Sequence, residues 1–132
     1  MKTVSWMFAA TLIALNFAAV SFAQTAPGKT CAMVYQSENF SGQQLVIGDG
    51  YQIANLQRVP FGGYSDSWQN RISSAYVAQG CTLILFQYFN FEGQTVSLAN
   101  RYPTTQRPVG GQYTALGGFD NLASSLICSC AQ

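Results

Sequence analysis

From residue 31 onward, apolar residues fall in short runs that are separated by polar, glycine-containing or proline-containing turns. The two strongest runs, 31–36 and 81–87, are rich in the residue types that favour β-strands. Weaker runs of the same kind lie at 44–47, 73–78, 94–98 and 124–130. Beyond residue 23, no stretch holds apolar residues at helical spacing for more than about two turns, so no long amphipathic helix is expected. The pattern predicts a β-sandwich of many short strands.

The chain also repeats itself with a period of 51 residues. Residues 31–81 align to 82–132 without a gap and give nine identical pairs, whereas average residue usage would give about three. The identities cluster at 36–43 and at 70–74 of the first copy. Because neither half can bury a sheet face alone, the two repeats are expected to pack on one another about a pseudo-twofold axis.

Both repeats carry the same aromatic and glycine signature. The signature has the form aromatic-x4-aromatic-x-Gly. In the first repeat its fixed positions are Tyr35, Phe40 and Gly42, and in the second they are Phe86, Phe91 and Gly93. A serine pair begins 31 positions after each glycine, at Ser73 and at Ser124. Such a hairpin folds over on itself, and its glycine is expected to take a positive φ.

These motifs resemble the Greek-key signature of the βγ-crystallin family, and the resemblance covers residues 31–130. It implies an all-β sandwich of two pseudo-twofold-related four-strand motifs, 31–80 and 81–130. In that fold two four-stranded antiparallel sheets pack face to face, and the third strand of each motif crosses to the other sheet. The resemblance also implies that the first serine of each pair braces the hairpin with its hydroxyl. The alternative is an unrelated disulfide-stapled sandwich with a duplicated hairpin.

The first 23 residues have the order of a secretory signal peptide. A basic N-terminal region with Lys2 is followed by an apolar run from Trp6 to Val20. A cleavage-site pattern with small residues then ends at Ala23. A signal anchor is the alternative, but the run is shorter than the roughly 20 residues a bilayer span needs. We therefore expect a secreted protein with a short linker at 24–30 and one domain at 31–132.

Charge and composition exclude several classes of function for the part beyond residue 23. Its five basic residues balance its five acidic residues, so this part has no excess positive charge to attract a nucleic-acid backbone or an anionic membrane. It has no histidine, and its carboxylates are scattered along the chain. Acid–base and nucleophilic catalysis use such groups in close pairs, so an enzyme is not expected. A monomer with an unidentified extracellular partner or ligand is the expectation.

All four cysteines lie in the expected exported part, where two disulfides are the natural state. Zinc is the competing interpretation, but the spacing does not match the usual paired Cys-x2-Cys motif. In a βγ-type motif the first strand lies beside the fourth, which makes Cys81 and Cys130 neighbours and leaves Cys31 for Cys128. A Cys31 to Cys81 bridge with two free thiols at the tail is the rival.

Many members of the family bind Ca²⁺ through a stretch of the form Asn/Asp, Asn/Asp, X, X, Ser/Thr, Ser, which corresponds here to 69–74 and 120–125. The resemblance assigns one site to Ser124 with backbone oxygens near Asn121 and Glu38. It assigns the other to Ser73 with Asn70 and Phe89. No cofactor is required by the sequence, and calcium is the one candidate.

Three residues argue against tight calcium binding. Gln69 replaces the opening Asn or Asp, Arg71 would bring a cation to the metal, and Leu122 offers no side-chain oxygen. Because ligand charge governs affinity, we expect at most weak binding, with a Kd of about 10⁻⁴ to 10⁻³ M. The plainer interpretation is that these serines and asparagines satisfy backbone groups at the corners of strands.

The expected function is a structural or binding role. A defence or toxin-like protein, a proteinase inhibitor and a lectin-like carbohydrate binder are the alternatives. The aromatic residues that could stack on sugars are Tyr51, Tyr64, Trp68, Tyr88 and Tyr102. The loop at 101–113 is the candidate carrier of a binding role. Asn39 opens an N-glycosylation sequon, for which a modified and an unmodified turn asparagine are both open.

Overall fold

The computed structural model describes residues 28–101 and 110–132, except for the side chain of Tyr64. The expected signal peptide and most of the loop at 101–113 lie outside the described residues. Within the described ranges, no helix is long and apolar enough to cross a membrane.

Ten β-strands account for most of the described chain. They are β1 (Thr30–Ser37), β2 (Ser41–Gly48), β3 (Gln52–Ile53), β4 (Pro60–Phe61), β5 (Gly63–Ser67), β6 (Ser74–Val77), β7 (Cys81–Tyr88), β8 (Glu92–Ala99), β9 (Gln112–Tyr113) and β10 (Ser125–Cys130). Three 3₁₀ helices of three residues each, Leu56–Arg58, Phe89–Phe91 and Gly117–Phe119, are the helices of the described ranges. Six of the strands, β1, β2, β6, β7, β8 and β10, coincide with the apolar runs of the sequence to within about three residues, which is the usual uncertainty of element boundaries.

Eight of the strands form two four-stranded sheets, with the orders β2-β1-β6-β9 and β3-β10-β7-β8. Each neighbouring pair is antiparallel. The short strand β9 belongs to the second repeat but pairs with β6 of the first, with Ala75 opposite Tyr113. Likewise, β3 of the first repeat pairs with β10 of the second, with Leu126 opposite Ile53. The predicted exchange of the third strand between the sheets is thus confirmed.

The core lies between the two sheets and follows the two-residue period of the strands. In β1, β7 and β10 alternate side chains point inward and are fully buried. These inward residues include Val34, Leu83, Leu85 and Leu126. Because successive side chains in a strand face opposite ways, only about every second residue of these apolar runs enters the core.

The segment 60–67 differs from its expected irregular conformation. Its glycines and proline predict a loop, but the chain forms the small hairpin β4–β5. Gly62, at φ +57°, makes the tight turn, and the ring of Phe61 packs edge-on against Trp68 with 5.0 Å between centroids. Burial of this aromatic pair explains why a segment rich in strand breakers stays ordered.

The two folded hairpins of the signature are present in both repeats. The rings of Tyr35 and Phe40 meet edge-on at 5.7 Å, and the equivalent pair in the second repeat meets at 5.6 Å. Gly42 has a φ of +79°, which an L side chain would disfavour. The serine assignment, however, was wrong. The hydroxyl that braces the hairpin belongs to the second serine, Ser74, which donates to the carbonyl of Ser37 at 2.6 Å.

Two disulfides close the fold, and all four cysteines take part. Cys31 in β1 is joined to Cys128 in β10, which links the two sheets. Cys81 in β7 is joined to Cys130 in β10, which links two neighbouring strands of one sheet. This is the pairing that the resemblance implies, and the rival Cys31 to Cys81 bridge does not occur.

Candidate functional site

The two six-residue stretches singled out in the sequence lie side by side where β6 and β10 begin. The backbone N–H of Asn70 donates to the carbonyl of Ala123 at 2.9 Å. In the mirrored contact, the N–H of Asn121 donates to the carbonyl of Ile72 at 3.0 Å. These two bonds hold the stretches of the two repeats against each other across the pseudo-twofold axis.

Asn70 and Asn121 both have left-handed backbone conformations, with φ values of 57° and 54°. Asparagine is one of the few residues other than glycine that adopts this conformation readily. Each asparagine then meets the serine of the opposite repeat. The hydroxyl of Ser73 donates to Oδ1 of Asn121 at 3.0 Å, and that of Ser124 to Oδ1 of Asn70 at 3.5 Å.

The expected ligand sets combine Ser124 with backbone oxygens near Asn121 and Glu38, and Ser73 with Asn70 and Phe89. They do not include a bond between the serine of one repeat and the asparagine side chain of the other. The side-chain hydrogen bonds instead join each serine to the asparagine of the other repeat. Sequence spacing could not have found this, because the residues of each bonded pair lie 48 or 54 positions apart.

A polar cleft of about 380 Å³ opens beside this contact and next to the first hairpin. It is lined by Gln36, Ser37, Gln69, Asn70, Arg71 and Asn121. Neutral amide, hydroxyl and carbonyl oxygens can therefore reach it, but no carboxylate is among these residues. Calcium sites gain affinity from carboxylate ligands, so the lining is poor in the charge that a divalent cation needs.

Arg71 sets the charge at the rim of this cleft. Its guanidinium carbon lies 4.6 Å from the centre of the Phe61 ring, and Nη2 is 3.3 Å from the carboxylate of Asp66. Both charged side chains are more than one-third exposed, so the ion pair itself contributes little to stability. These contacts hold the Arg71 guanidinium at the cleft, where its positive charge opposes the entry of another cation.

The equivalent stretch in the second repeat contains a carboxylate. Oδ2 of Asp120 accepts a hydrogen bond from the amide of Asn121 at 3.3 Å, while the buried Oδ1 has no hydrogen-bond partner among the described residues. A buried oxygen of this kind is normally satisfied by a water or a cation. Two residues further on, Leu122 packs partly buried against the core and supplies no oxygen.

The hairpin residues of the expected ligand sets occupy equivalent turns. Glu38 is exposed in the turn between β1 and β2, and its carbonyl already accepts a hydrogen bond of 2.8 Å from the hydroxyl of Ser41. Phe89 lies in the corresponding 3₁₀ turn between β7 and β8. Asn39 is exposed beside Glu38, so the sequon asparagine is accessible.

The aromatic residues considered for sugar stacking differ in exposure, as far as the structure describes them. Trp68 is only 3% exposed and packs on Phe61, so a stacking role for Trp68 is wrong. Tyr51 and Tyr88 are more than half exposed. Tyr102 lies outside the described residues, as does the side chain of Tyr64.

A larger cleft, of about 830 Å³, was not foreseen from the sequence. It lies between the first 3₁₀ helix and the β4–β5 hairpin, and Arg58 and Asp66 are its charged lining residues. The glycines and proline of segment 60–67 indicate an exposed loop in this part of the chain. The cleft itself depends on the folding of this segment into a hairpin, which those residues do not predict.

Comparison with solved structures identifies the fold. The N-terminal domain of protein S is 24% identical, with a TM-score of 0.59, over 76% of this chain and 97% of that one. A βγ-crystallin domain from Flavobacterium johnsoniae is 22% identical, with a TM-score of 0.57, over 76% and 94% of the two chains. A structure reported on the evolution of the eye lens βγ-crystallin domain fold is 19% identical, with a TM-score of 0.61, over 80% and 91%.

No family model matches the chain, and no curated protein is significantly similar to it. The likeness to solved structures therefore concerns the fold. Together with the two sheets, the exchanged strands and the paired hairpins, it shows that the chain has the βγ-crystallin fold. The resemblance drawn from the aromatic, glycine and serine positions is confirmed at this level.

Proposed function

We propose that the chain is a secreted, non-enzymatic protein of βγ-crystallin fold with a structural or binding role, and that it binds Ca²⁺ weakly at most. The observation that carries this proposal is the crossed pair of hydrogen bonds, Ser73 with Asn121 and Ser124 with Asn70. Each serine donates its hydroxyl proton to the asparagine of the other repeat. These side chains therefore join the two repeats directly.

The charge around the first cleft supports weak binding. A calcium ion would have to enter beside the Arg71 guanidinium, with no carboxylate in the lining to offset that positive charge. The second stretch is the better candidate, because the unpartnered oxygen of Asp120 could accept a cation. A single carboxylate in this second stretch corresponds to the weak end of the calcium range, with a Kd of about 10⁻⁴ to 10⁻³ M.

The cysteines and the N-terminal pattern support secretion. All four cysteines are in disulfides, a state that persists in oxidising compartments outside the cytosol. The first 23 residues have the order of a cleavable signal peptide. Expression of the full chain in secreting cells should place the protein in the medium, with Gln24 at its N-terminus. Retention in the membrane fraction would contradict secretion.

The residues present also support a non-enzymatic role. The whole chain contains no histidine. The linings of both clefts contain serines, but no nucleophile and base lie within hydrogen-bond distance of one another among the described residues. Acyl and phosphoryl transfer need such an activated pair or a metal held by several carboxylates.

Isothermal titration calorimetry of the secreted protein with CaCl₂ tests the calcium part of the proposal. Ser124→Ala and Ser73→Ala remove one hydroxyl ligand from each site, and Ser129→Ala, on the exposed face of β10, is the matched control. We expect a submillimolar to millimolar Kd that weakens in Ser124→Ala and is unchanged in Ser129→Ala. A Kd below 1 µM, or equal binding by all four proteins, would contradict the proposed sites.

A further inference from the structure

The two disulfides lie against each other. The Sγ atoms of Cys31, Cys81 and Cys130 all lie within 4.8 Å of one another, although Cys31 is bonded to Cys128 and the other two are bonded together. A sulfur of one bridge is therefore near both sulfurs of the other. Since all of them are bonded in pairs, this cluster is not a metal site.

The two bridges differ in their access to solvent. Cys31 and Cys128 are fully buried, and Cys81 is 1% exposed, whereas Cys130 is partly exposed. The Cys81–Cys130 bridge also borders a cleft of about 510 Å³. The cleft is lined by Gly80, Cys81, Thr82, Arg101, Ser129, Cys130 and Ala131. A thiol arriving from solvent thus meets Cys130 before any other sulfur.

We propose that Cys81–Cys130 is a thiol–disulfide exchange site for a small external thiol, and that it passes the exchange to the buried Cys31–Cys128 bridge. In the first step the external thiolate attacks Sγ of Cys130. A mixed disulfide forms on Cys130, the Cys81–Cys130 bond breaks, and Cys81 leaves as a thiolate.

In the second step the Cys81 thiolate attacks the sulfur of Cys31, which lies within 4.8 Å. The Cys31–Cys81 bond forms, the Cys31–Cys128 bond breaks, and Cys128 leaves as a thiolate that takes up a proton. A second external thiol then attacks the mixed disulfide and frees Cys130. Two thiols are oxidised to one small disulfide, and the protein is reduced by two electrons, keeping one bridge and gaining two thiols.

Charge and exposure favour attack at Cys130. Arg101 lines the cleft and attracts anionic thiols. Cys130 is partly exposed and Cys81 is buried, so an external thiol reaches Cys130 and Cys81 becomes the departing thiolate.

The exchange changes what holds strand β10 in place. In the oxidised protein both bridges end on this strand, at Cys128 and Cys130. After the exchange the remaining bridge joins β1 to β7, and no covalent link holds β10, which keeps its hydrogen bonds to β3 and β7 and its packing in the core. The redox state of the four cysteines thus determines whether β10, an inner strand of its sheet, is covalently attached to the rest of the sandwich.

Peptide mapping of the partly reduced protein tests the relay. The full secreted protein is incubated with reduced glutathione, quenched with an alkylating agent at increasing times and digested without reduction. We expect an intermediate in which Cys31 is joined to Cys81 while Cys128 and Cys130 are alkylated or carry glutathione. If the partly reduced forms contain only Cys31–Cys128 or Cys81–Cys130 bridges, the relay is overturned.

A second measurement follows the buried bridge alone. In Cys81→Ser/Cys130→Ser the Cys31–Cys128 bridge has no neighbouring thiolate to attack it, so its reduction should slow by at least about tenfold. An equal or faster rate in a variant that retains native circular dichroism would contradict the relay. Should this variant fail to fold, the peptide map of the wild-type protein decides alone.

The role of the cleft charge is tested with two thiols of opposite charge. Arg101→Gln should slow reduction by anionic glutathione by about threefold and leave reduction by cationic cysteamine unchanged or faster. Arg58→Gln, which changes an arginine of a different cleft, is the matched control. Equal effects of the two substitutions, or slowing with both thiols, would refute the assignment of this cleft as the entry site.

Discussion

The hydroxyl of Ser74 accepts a hydrogen bond of 3.1 Å from the backbone N–H of Phe40, which lies 34 positions earlier in the chain. The same hydroxyl donates to the carbonyl of Ser37, so one fully buried oxygen satisfies two backbone groups of the hairpin. Ser125 makes the same contacts with Phe91 and Tyr88 in the second repeat. The folded hairpins and the strands that begin at the serine pairs are therefore fixed to each other twice in the same way.

Ser74→Ala should consequently destabilise the protein by about 1 to 3 kcal/mol, because it leaves two partly buried backbone groups without this partner. Urea denaturation monitored by tryptophan fluorescence measures the change. Ser129→Ala, at an exposed position, is the control and should change stability by less than about 0.5 kcal/mol. Equal midpoints for the two variants would show that the hydroxyl does not brace the hairpin.

Gly111 allows the chain to enter the exchanged strand β9. Its φ is +85°, and a Cβ atom there would collide with the carbonyl oxygen of Val77 and with the side chain of Asn100. Gly111→Ala should cost at least about 2 kcal/mol in the free energy of unfolding, because strain and a backbone clash add. Gly118→Ala has no neighbouring atom within 4 Å and serves as the control. Similar melting temperatures for both variants would contradict the role of Gly111.

The two disulfides close loops of different length. Cys31 and Cys128 are separated by 97 positions, and Cys81 and Cys130 by 49. Loop-closure entropy then makes removal of the longer bridge costlier by about 0.6 kcal/mol, within a total of about 2 to 4 kcal/mol for each bridge. Calorimetry of the double variants Cys31→Ser/Cys128→Ser and Cys81→Ser/Cys130→Ser measures both losses. A larger loss for the shorter loop would show that local packing outweighs chain entropy.

Under the proposed function, Leu122 limits calcium binding in the second stretch. Leu122→Asp should lower the Kd for Ca²⁺ by adding a carboxylate, although it loses the packing of Leu122 against the core. Leu122→Asn suffers a similar loss of packing without the charge and is the matched control. Calorimetric titration of both variants should give tighter binding for the aspartate alone. No difference between them would indicate that this stretch does not bind calcium.

Much of the fold is legible in the sequence because it follows from local patterns. The short apolar runs at 31–36 and 81–87, rich in residue types that favour strands, predict the central strands β1 and β7. The positive φ of Gly42 and Gly93 follows from the hairpin signature that surrounds them. The exchange of β3 and β9, strands of only two residues, comes from the family resemblance, because such short strands carry no period of their own.

The candidate site was less predictable because its contacts are made between repeats. Spacing identifies Ser73 and Asn121 as polar residues at strand corners, but it cannot say that they bond to each other. The neighbouring serine, Ser74, has the same chemistry, and only the direction of its side chain makes it the brace. The position of Arg71 on the Phe61 ring also depends on the β4–β5 hairpin. The glycines and proline of that segment indicate a loop, so the sequence does not predict this hairpin.

Scanning calorimetry of the secreted protein with and without Ca²⁺ tests the central claim most directly. The crossed serine–asparagine hydrogen bonds hold the two repeats together without a metal, so the protein should melt cooperatively in EDTA. At a free Ca²⁺ concentration equal to a weak Kd, a single site adds only about 0.4 kcal/mol, and the melting temperature should rise little. A large rise at micromolar Ca²⁺, or loss of the cooperative transition in EDTA, would contradict the account.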